Sequence, residues 1–132
     1  MIEVRQLCKR FGDQQVLDGV DLVIGKGESL VIIGRSGGGK SVLLKHLVGL
    51  SRPDSGQVLV DGQDIAHLNE RELLGVRRKF GMLFQSAALF DSLTVEENIA
   101  FVLARERNHT PGEISRCVDE ALEMVELPGT QK

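Results

Sequence analysis

The 132-residue chain has no tryptophan, no tyrosine, only two cysteines and only three prolines. Cys8 and Cys117 are too few for a disulfide framework and do not show metal-ligand spacing, so both are expected to stay reduced in a cytosol. No apolar run is longer than the six residues 99–104, far short of the roughly 20 that a membrane-spanning helix requires. The first residues show no basic stretch leading into an apolar one, and no secretory signal is expected. Excess positive charge is missing too. The net charge of -3 argues against a dedicated nucleic-acid binder. His46, His67 and His109 are scattered and match no metal-ligand pattern. What the chain has in plenty is glycine: 15 residues, against the ~7% of an average protein. With 42% hydrophobic and 27% charged residues, the balance is that of one ordinary globular domain at most.

Apolar periodicity predicts a strand over residues 2–7 and a half-buried strand around Val20, Leu22 and Ile24. Lys9 to Gln15 reads as a polar loop carrying one aromatic, Phe11. After the Gly25-Lys26-Gly27 turn, residues 28–33 end in four apolar residues, as expected of a strand buried on both faces of a parallel sheet. A glycine-rich loop follows, then a helix over residues 40–50 with Val42, Leu43, Leu44, Leu47, Val48 and Leu50. Pro53-Asp54-Ser55-Gly56 reads as a turn and residues 57–61 as a strand. Residues 80–84 form another compact apolar strand candidate. Asn69…Glu72, Thr94…Glu97 and Thr110…Glu113 have capping-box spacing. They predict helices running to about Lys79, towards Arg107, and up to a stop at Pro128-Gly129. The last helix carries Ile114, Cys117, Val118, Ala121, Leu122 and Val125 on one stripe, with an acidic, solvated face opposite. His46 is expected to be packed, and Arg77-Arg78-Lys79 to complement a helix C-terminus.

Gly34-Arg35-Ser36-Gly37-Gly38-Gly39-Lys40-Ser41 matches G-x-x-x-x-G-K-[ST] in full. Glycines let such a loop turn its N–H groups inward around phosphate oxygens. The helix that follows points its positive end at the same oxygens. Lys40 supplies a point charge for the β- and γ-phosphates, and the Ser41 hydroxyl is a ligand for Mg²⁺. An apolar strand before and an apolar helix after are the context such a loop needs.

Phe11 between two strands, the Gly34 to Ser41 loop, Pro53-Asp54-Ser55-Gly56, and Phe84-Gln85 after a strand together resemble the ATP-binding subunit of an ABC transporter. The resemblance covers essentially the whole chain. Gly-Arg-Ser-Gly-Gly-Gly-Lys-Ser-Val-Leu-Leu-Lys and Gly-Met-Leu-Phe-Gln-Ser-Ala-Ala-Leu-Phe-Asp-Ser-Leu-Thr-Val look like the Mla/Mce group. That group powers phospholipid or hydrophobic-solute traffic, and some of its members are named for toluene tolerance. Val42 stands where a second hydroxyl is usual, which fits that group and leaves Ser41 as the metal ligand. On its residues alone Phe11 reads as a core anchor of the hairpin. The resemblance implies instead that it stacks on adenine, with Val16 also at the base. On spacing alone Gln85 reads equally well as an ordinary polar residue after a strand and as a functional one. The resemblance implies that it reaches Mg²⁺ and the attacking water, and that Ala87, Ala88, Leu89 and Phe90 meet a transmembrane permease. It further implies ATP and Mg²⁺ as cofactors, a homodimer of full-length subunits, and a place in the bacterial cytoplasm on the inner membrane.

Three parts of the family pattern are missing. There is no Leu-Ser-Gly-Gly-Gln signature. No apolar strand ends in Asp-Glu, since Asp61 is followed by Gly62 and reads as a turn residue. No histidine follows a catalytic acid. The fold class expected is therefore α/β, the N-terminal half of a P-loop ABC ATPase. It would comprise an antiparallel β subdomain plus part of a parallel-sheet core with flanking helices. Residues 1–132 would be a partial ATP-binding domain with Walker A and Q-loop present and signature, Walker B and H-loop absent. The expected function is ATP-dependent energy coupling in an ABC transporter for phospholipids or other hydrophobic solutes. The alternatives are a nucleotide-binding module without turnover, or a fragment of an ABC ATPase for another solute. An unrelated P-loop kinase or GTPase is disfavoured by the placement of Phe11 and Gln85.

Overall fold

Two long strands joined by the two residues Gly12-Asp13 begin the chain, β1 (Ile2–Phe11) and β2 (Gln14–Ile24). The polar stretch expected to be a loop is thus mostly strand. Gly12, at φ 56, supplies the left-handed residue that a tight hairpin turn demands, so the ladder runs on to Phe11 opposite Gln14. The computed structural model describes residues 1–84, 88–104 and 109–132. These divide into two units, Met1–Gly81 and Met82–Lys132.

In the first unit the remaining elements are α1 (Lys40–Leu47), β3 (Ser55–Val60), the two-residue β4 (Gln63–Asp64) and α2 (Glu70–Arg77). The sheet order is β2-β1-β3-β4, antiparallel throughout. Val4 and Leu7 of β1, Leu17 of β2, and Val58 and Val60 of β3 are buried with Leu43 and Leu47 of α1, Ile65, and Leu73 and Val76 of α2. Each buried aliphatic side chain contributes about 1.5–3 kcal/mol, so this cluster holds the two helices to the sheet. α1 ends before the expected Leu50 because Gly49 takes φ 67, a left-handed stop. A bulge interrupts β1 at Gln6 (φ 47). Both the N–H and the amide group of Gln6 donate to the Asp21 carboxylate. Asp61, also left-handed at φ 50, is a turn residue as expected.

Two expected strands are absent. Residues 28–33 and 80–84 join no ladder, and Val31 and Ile33 are 78% and 90% exposed. A strand exists only through the hydrogen bonds of a neighbour, and neither stretch pairs with one among the described residues, although Ile32 and Phe80 pack against the core cluster. Their apolar composition is what raised the expectation of strands in a parallel-sheet interior.

The second unit contains α3 (Val95–Leu103) and α4 (Pro111–Met124), which pack on each other. Thr94 and Thr110 cap them as expected, each with a reciprocal bond from the glutamate three residues on; Asn69 does the same for α2. The expected run of α3 to Arg107 falls outside the described residues. Val118 and Leu122 are the buried centre of the α4 stripe, but Val125, expected on it, is exposed because the helix already ends at Met124. Among the described residues no helix is long and apolar enough to cross a membrane.

Candidate functional site

The glycine-rich loop opens directly into α1, and its geometry is set by backbone rather than side chains. Gly39, the N-cap, has φ 84, and no side chain caps the helix. The first turn carries no acidic residue either, so the positive end of α1 is left for an external anion. Gly37 is also left-handed, at φ 79. The Gly38 N–H donates to the Arg35 carbonyl at 3.1 Å. A hollow of about 130 Å³ is lined by Gly37, Gly38, Gly39, Lys40, Ser41 and Val42.

Lys40 folds back across this loop. Its Nζ donates to the carbonyls of Gly34 and Arg35 at 2.8 and 2.7 Å, which places an ammonium beside the hollow. Backbone amides, a helix N-terminus and one ammonium converging on an open concavity suit a polyanion. Ser41 is exposed at the second position of α1, and its hydroxyl is a hard oxygen ligand of the kind Mg²⁺ takes. Gln85, the other residue expected at the metal, lies outside the described residues, as does Ala87. Among the described residues no group of three or more His, Cys, Asp or Glu side chains could hold a metal by itself. A metal here would need ligands from the nucleotide.

Val16 of β2 is brought against the loop: a Cβ on Gly39 would meet its carbonyl oxygen at 2.9 Å and its Cγ1 at 3.2 Å. Phe11 is no core anchor. At the end of β1 it is 51% exposed, with the Lys9 ammonium 5.5 Å from its ring centroid. Arg35 and Ser36 are exposed on the loop. His46 is packed as expected, 1% exposed. Its Nδ1–H donates to the Val42 carbonyl at 2.7 Å, and Nε2 has no partner. At the end of α2, Arg77 and Lys79 do more than meet its dipole. Arg77 binds Glu70 at 3.0 Å and the Gly49 carbonyl at 2.7 Å, and Lys79 binds Asp61 at 2.8 Å. In the second unit Ala88 and Leu89 are exposed, Leu89 by 65%. Phe90 is partly engaged, with its ring 4.6 Å from that of Phe101. Asp54, legible only as a turn residue, proves to bind Lys9. The contact spans 45 residues and leaves no local signal.

The ABC transporter family profile matches residues 17–132. The probable ribonucleotide transport ATP-binding protein mkl of Mycobacterium leprae is 44% identical over 131 residues, which is 99% of this chain and 38% of that protein. The methionine import ATP-binding protein MetN of Mesorhizobium japonicum is 43% identical over 127 residues, 96% of this chain and 34% of its own length. Among solved structures, the dimeric ATP-binding cassette MJ0796 bound to ADP and Pi superposes with a TM-score of 0.85 at 30% identity. That match covers 99% of this chain and 60% of the cassette. The chain spans less than two fifths of the length of these two curated relatives.

Proposed function

The chain belongs to the ABC transporter family, and from that membership we propose that it is the nucleotide-holding part of a transporter's ATP-binding, energy-coupling subunit. The observation that carries this is the Lys40 ammonium, held by two loop carbonyls at the start of an uncapped helix. Bound triphosphate takes over from those carbonyls as the partner of Lys40. The loop amides from Gly34 to Gly39 and the first N–H groups of α1, including those of Ser41 and Val42, surround its oxygens. Mg²⁺ would neutralise part of the phosphate charge, held by Ser41 and Gln85. Phe11 stacks on the base, and its exposed ring supports that role over a core one. Val16, which lies against the loop at Gly39, also touches the base.

Residues 1–132 correspond in this proposal to the N-terminal half of the ATP-binding domain. Hydrolysis belongs to the complete domain in a homodimer, with Gln85 orienting water. Ala87, Ala88, Leu89 and Phe90 face the permease, which holds the subunit peripherally on the inner membrane of a bacterium. For the solute, the two segments resembling the Mla/Mce group favour a phospholipid or another hydrophobic molecule. The relatives above are named for ribonucleotides and methionine.

Lys40→Ala tests the site. The substitution keeps a good helix former at the first helical position while deleting the point charge that meets the β/γ-phosphates. Titration with ATP is expected to show most of the affinity lost and the circular dichroism unchanged. Unchanged affinity overturns the assignment.

A further inference from the structure

Asp54 stands in the turn just before β3, yet its bonds all go to the far end of β1. One carboxylate oxygen takes the Lys9 ammonium at 2.8 Å, and the other accepts the Arg10 N–H at 2.7 Å. The Asp54 N–H donates to the Cys8 carbonyl at 3.0 Å. Three successive residues of β1 are therefore tied to one residue of another segment. The ladder needs this help. The register of β1 against β3 shifts between Arg5 and Cys8, and against β2 between Lys9 and Arg10, so regular pairing does not set the strand end by itself.

Phe11 follows immediately. Lys9 is a mostly buried side chain, 16% exposed, and its ammonium sits on the Phe11 ring while the ring stays half exposed. A cation on the aromatic face holds the ring electrostatically and leaves the remaining surface for a flat ligand. An ammonium–carboxylate pair whose carboxylate is half exposed adds little stability. Its consequence here is geometric, because an ordered ring loses less rotamer freedom when a ligand arrives.

We propose that Asp54 is a positioning residue for the nucleobase: acting through Lys9, it fixes the Phe11 ring in the orientation that a purine stacks against. The inference rests on the stacking role given to Phe11 above. The Lys9 hydrogen bond, and then that from the Arg10 amide, hold the Asp54 carboxyl below the ordinary carboxylate range, so the clamp stays charged at neutral pH.

The test compares ATP with inorganic tripolyphosphate, both as Mg²⁺ complexes, on the full chain. Asp54→Asn keeps an acceptor for Arg10 but loses the charge that holds Lys9. Lys9→Met keeps the apolar stem and loses the ammonium. Each is expected to weaken ATP by about two- to fivefold, the strength of an exposed cation–π contact, and to leave tripolyphosphate unchanged. Adding Asp54→Asn to Phe11→Ala should weaken ATP no further than Phe11→Ala alone. Phe11→Trp gives an independent readout, since the chain has no other tryptophan or tyrosine. ATP should quench the introduced indole, and Asp54→Asn should shift its emission before any ligand is added. Equal losses for both ligands, no loss for ATP, or a loss that adds in full to that of Phe11→Ala overturns the proposal. If Phe11→Ala itself fails to discriminate the two ligands, the stacking role falls. If Phe11→Ala discriminates and neither Asp54→Asn nor Lys9→Met does, only the role of Asp54 falls.

Discussion

Gly39 lies so close to Val16 that a Cβ on it would stand 2.9 Å from the Val16 carbonyl oxygen. The loop is thus seated on strand β2 by backbone contact. Since no side chain caps α1, this seat is what aims the helix N-terminus. The left-handed φ of 84 at Gly39 lets the chain turn from loop to helix at that distance.

Gly39→Ala therefore meets two penalties, a clash with backbone that has no room to move and a side chain in the left-handed region. The Leu43 N–H, which donates to the Gly39 carbonyl at 2.8 Å, reports on it. Its hydrogen exchange is expected to accelerate at least about tenfold, or ~1.4 kcal/mol of lost protection. Gly75→Ala is the control. It sits in α2 with nothing within 4 Å of a new Cβ, so alanine should leave Leu43 unaffected. Equal exchange in both variants would remove the packing argument for Gly39.

What could be read from the sequence was what is local. A cap and its glutamate are three residues apart, so Asn69, Thr94 and Thr110 announced their helices correctly. The loop from Gly34 to Ser41 is contiguous, and its chemistry is written in eight adjacent residues. Residues 28–33 mislead for the opposite reason: apolar composition records a strand's burial, whereas its existence depends on a neighbour. The clamp of Asp54 on Lys9 has no periodicity at all, because only the antiparallel pairing of β1 with β3 brings the two together. Phe11 was ambiguous until its exposure was known, since the same ring suits a core or a ligand.

Leu89 and Phe90, adjacent in sequence, are expected to respond differently. Leu89 is 65% exposed. Phe90 stacks on Phe101 at 4.6 Å, and its N–H donates to the Asn98 side chain at 2.8 Å. On the proposed permease contact, Leu89→Ser should abolish co-purification of the full-length protein with a permease and leave ATP affinity intact, because Leu89 presents its apolar side chain to solvent in the segment proposed to dock. Phe90→Ala should also loosen α3 around Phe101 by about 0.5–1.5 kcal/mol, the worth of an aromatic pair, read as faster exchange of the Phe101 amide. Normal co-purification of Leu89→Ser would place the permease contact elsewhere.

Asp61 makes a pH prediction. Its carboxylate is held chiefly by Lys79 at 2.8 Å, then by the N-terminal amine at 3.0 Å, and its pKa falls to about 2. A carboxyl depressed in the folded state stabilises fully above its ordinary unfolded value, near ~3.9. That stabilisation is lost as pH falls towards 2, where both states are protonated. A carbon-detected titration of the Asp61 carboxyl should give a midpoint about 2. In Lys79→Met the midpoint should rise only part of the way back, because the amine remains. An ordinary carboxylate midpoint in the unsubstituted chain would show that the ion pair does not persist in solution.

Turnover is where the 132-residue chain should fall short. In the proposed reading Lys40, Ser41 and Gln85 place a nucleotide, while the resemblance to ABC ATPases implies that hydrolysis also needs an acid after a further strand and signature glycines from a second subunit. Positioning without those groups leaves the transition-state charge unstabilised. Stability is expected to be limited as well. Residues 28–33 and 80–84 carry strand composition without strand partners among the described residues, and Ile33 and Leu83 are each 90% exposed. Unpaired apolar edges of this kind recruit other chains. The antiparallel sheet β2-β1-β3-β4 and the capped helices keep their own hydrogen bonds, so local structure should survive and show in circular dichroism. Phosphate release with Mg-ATP is expected at background, and heating should give a broad, concentration-dependent transition with aggregation. Turnover at the rate of an intact ABC ATPase, or a sharp melt from a monodisperse monomer, would mean that residues 28–33 find their neighbours within these 132 residues after all.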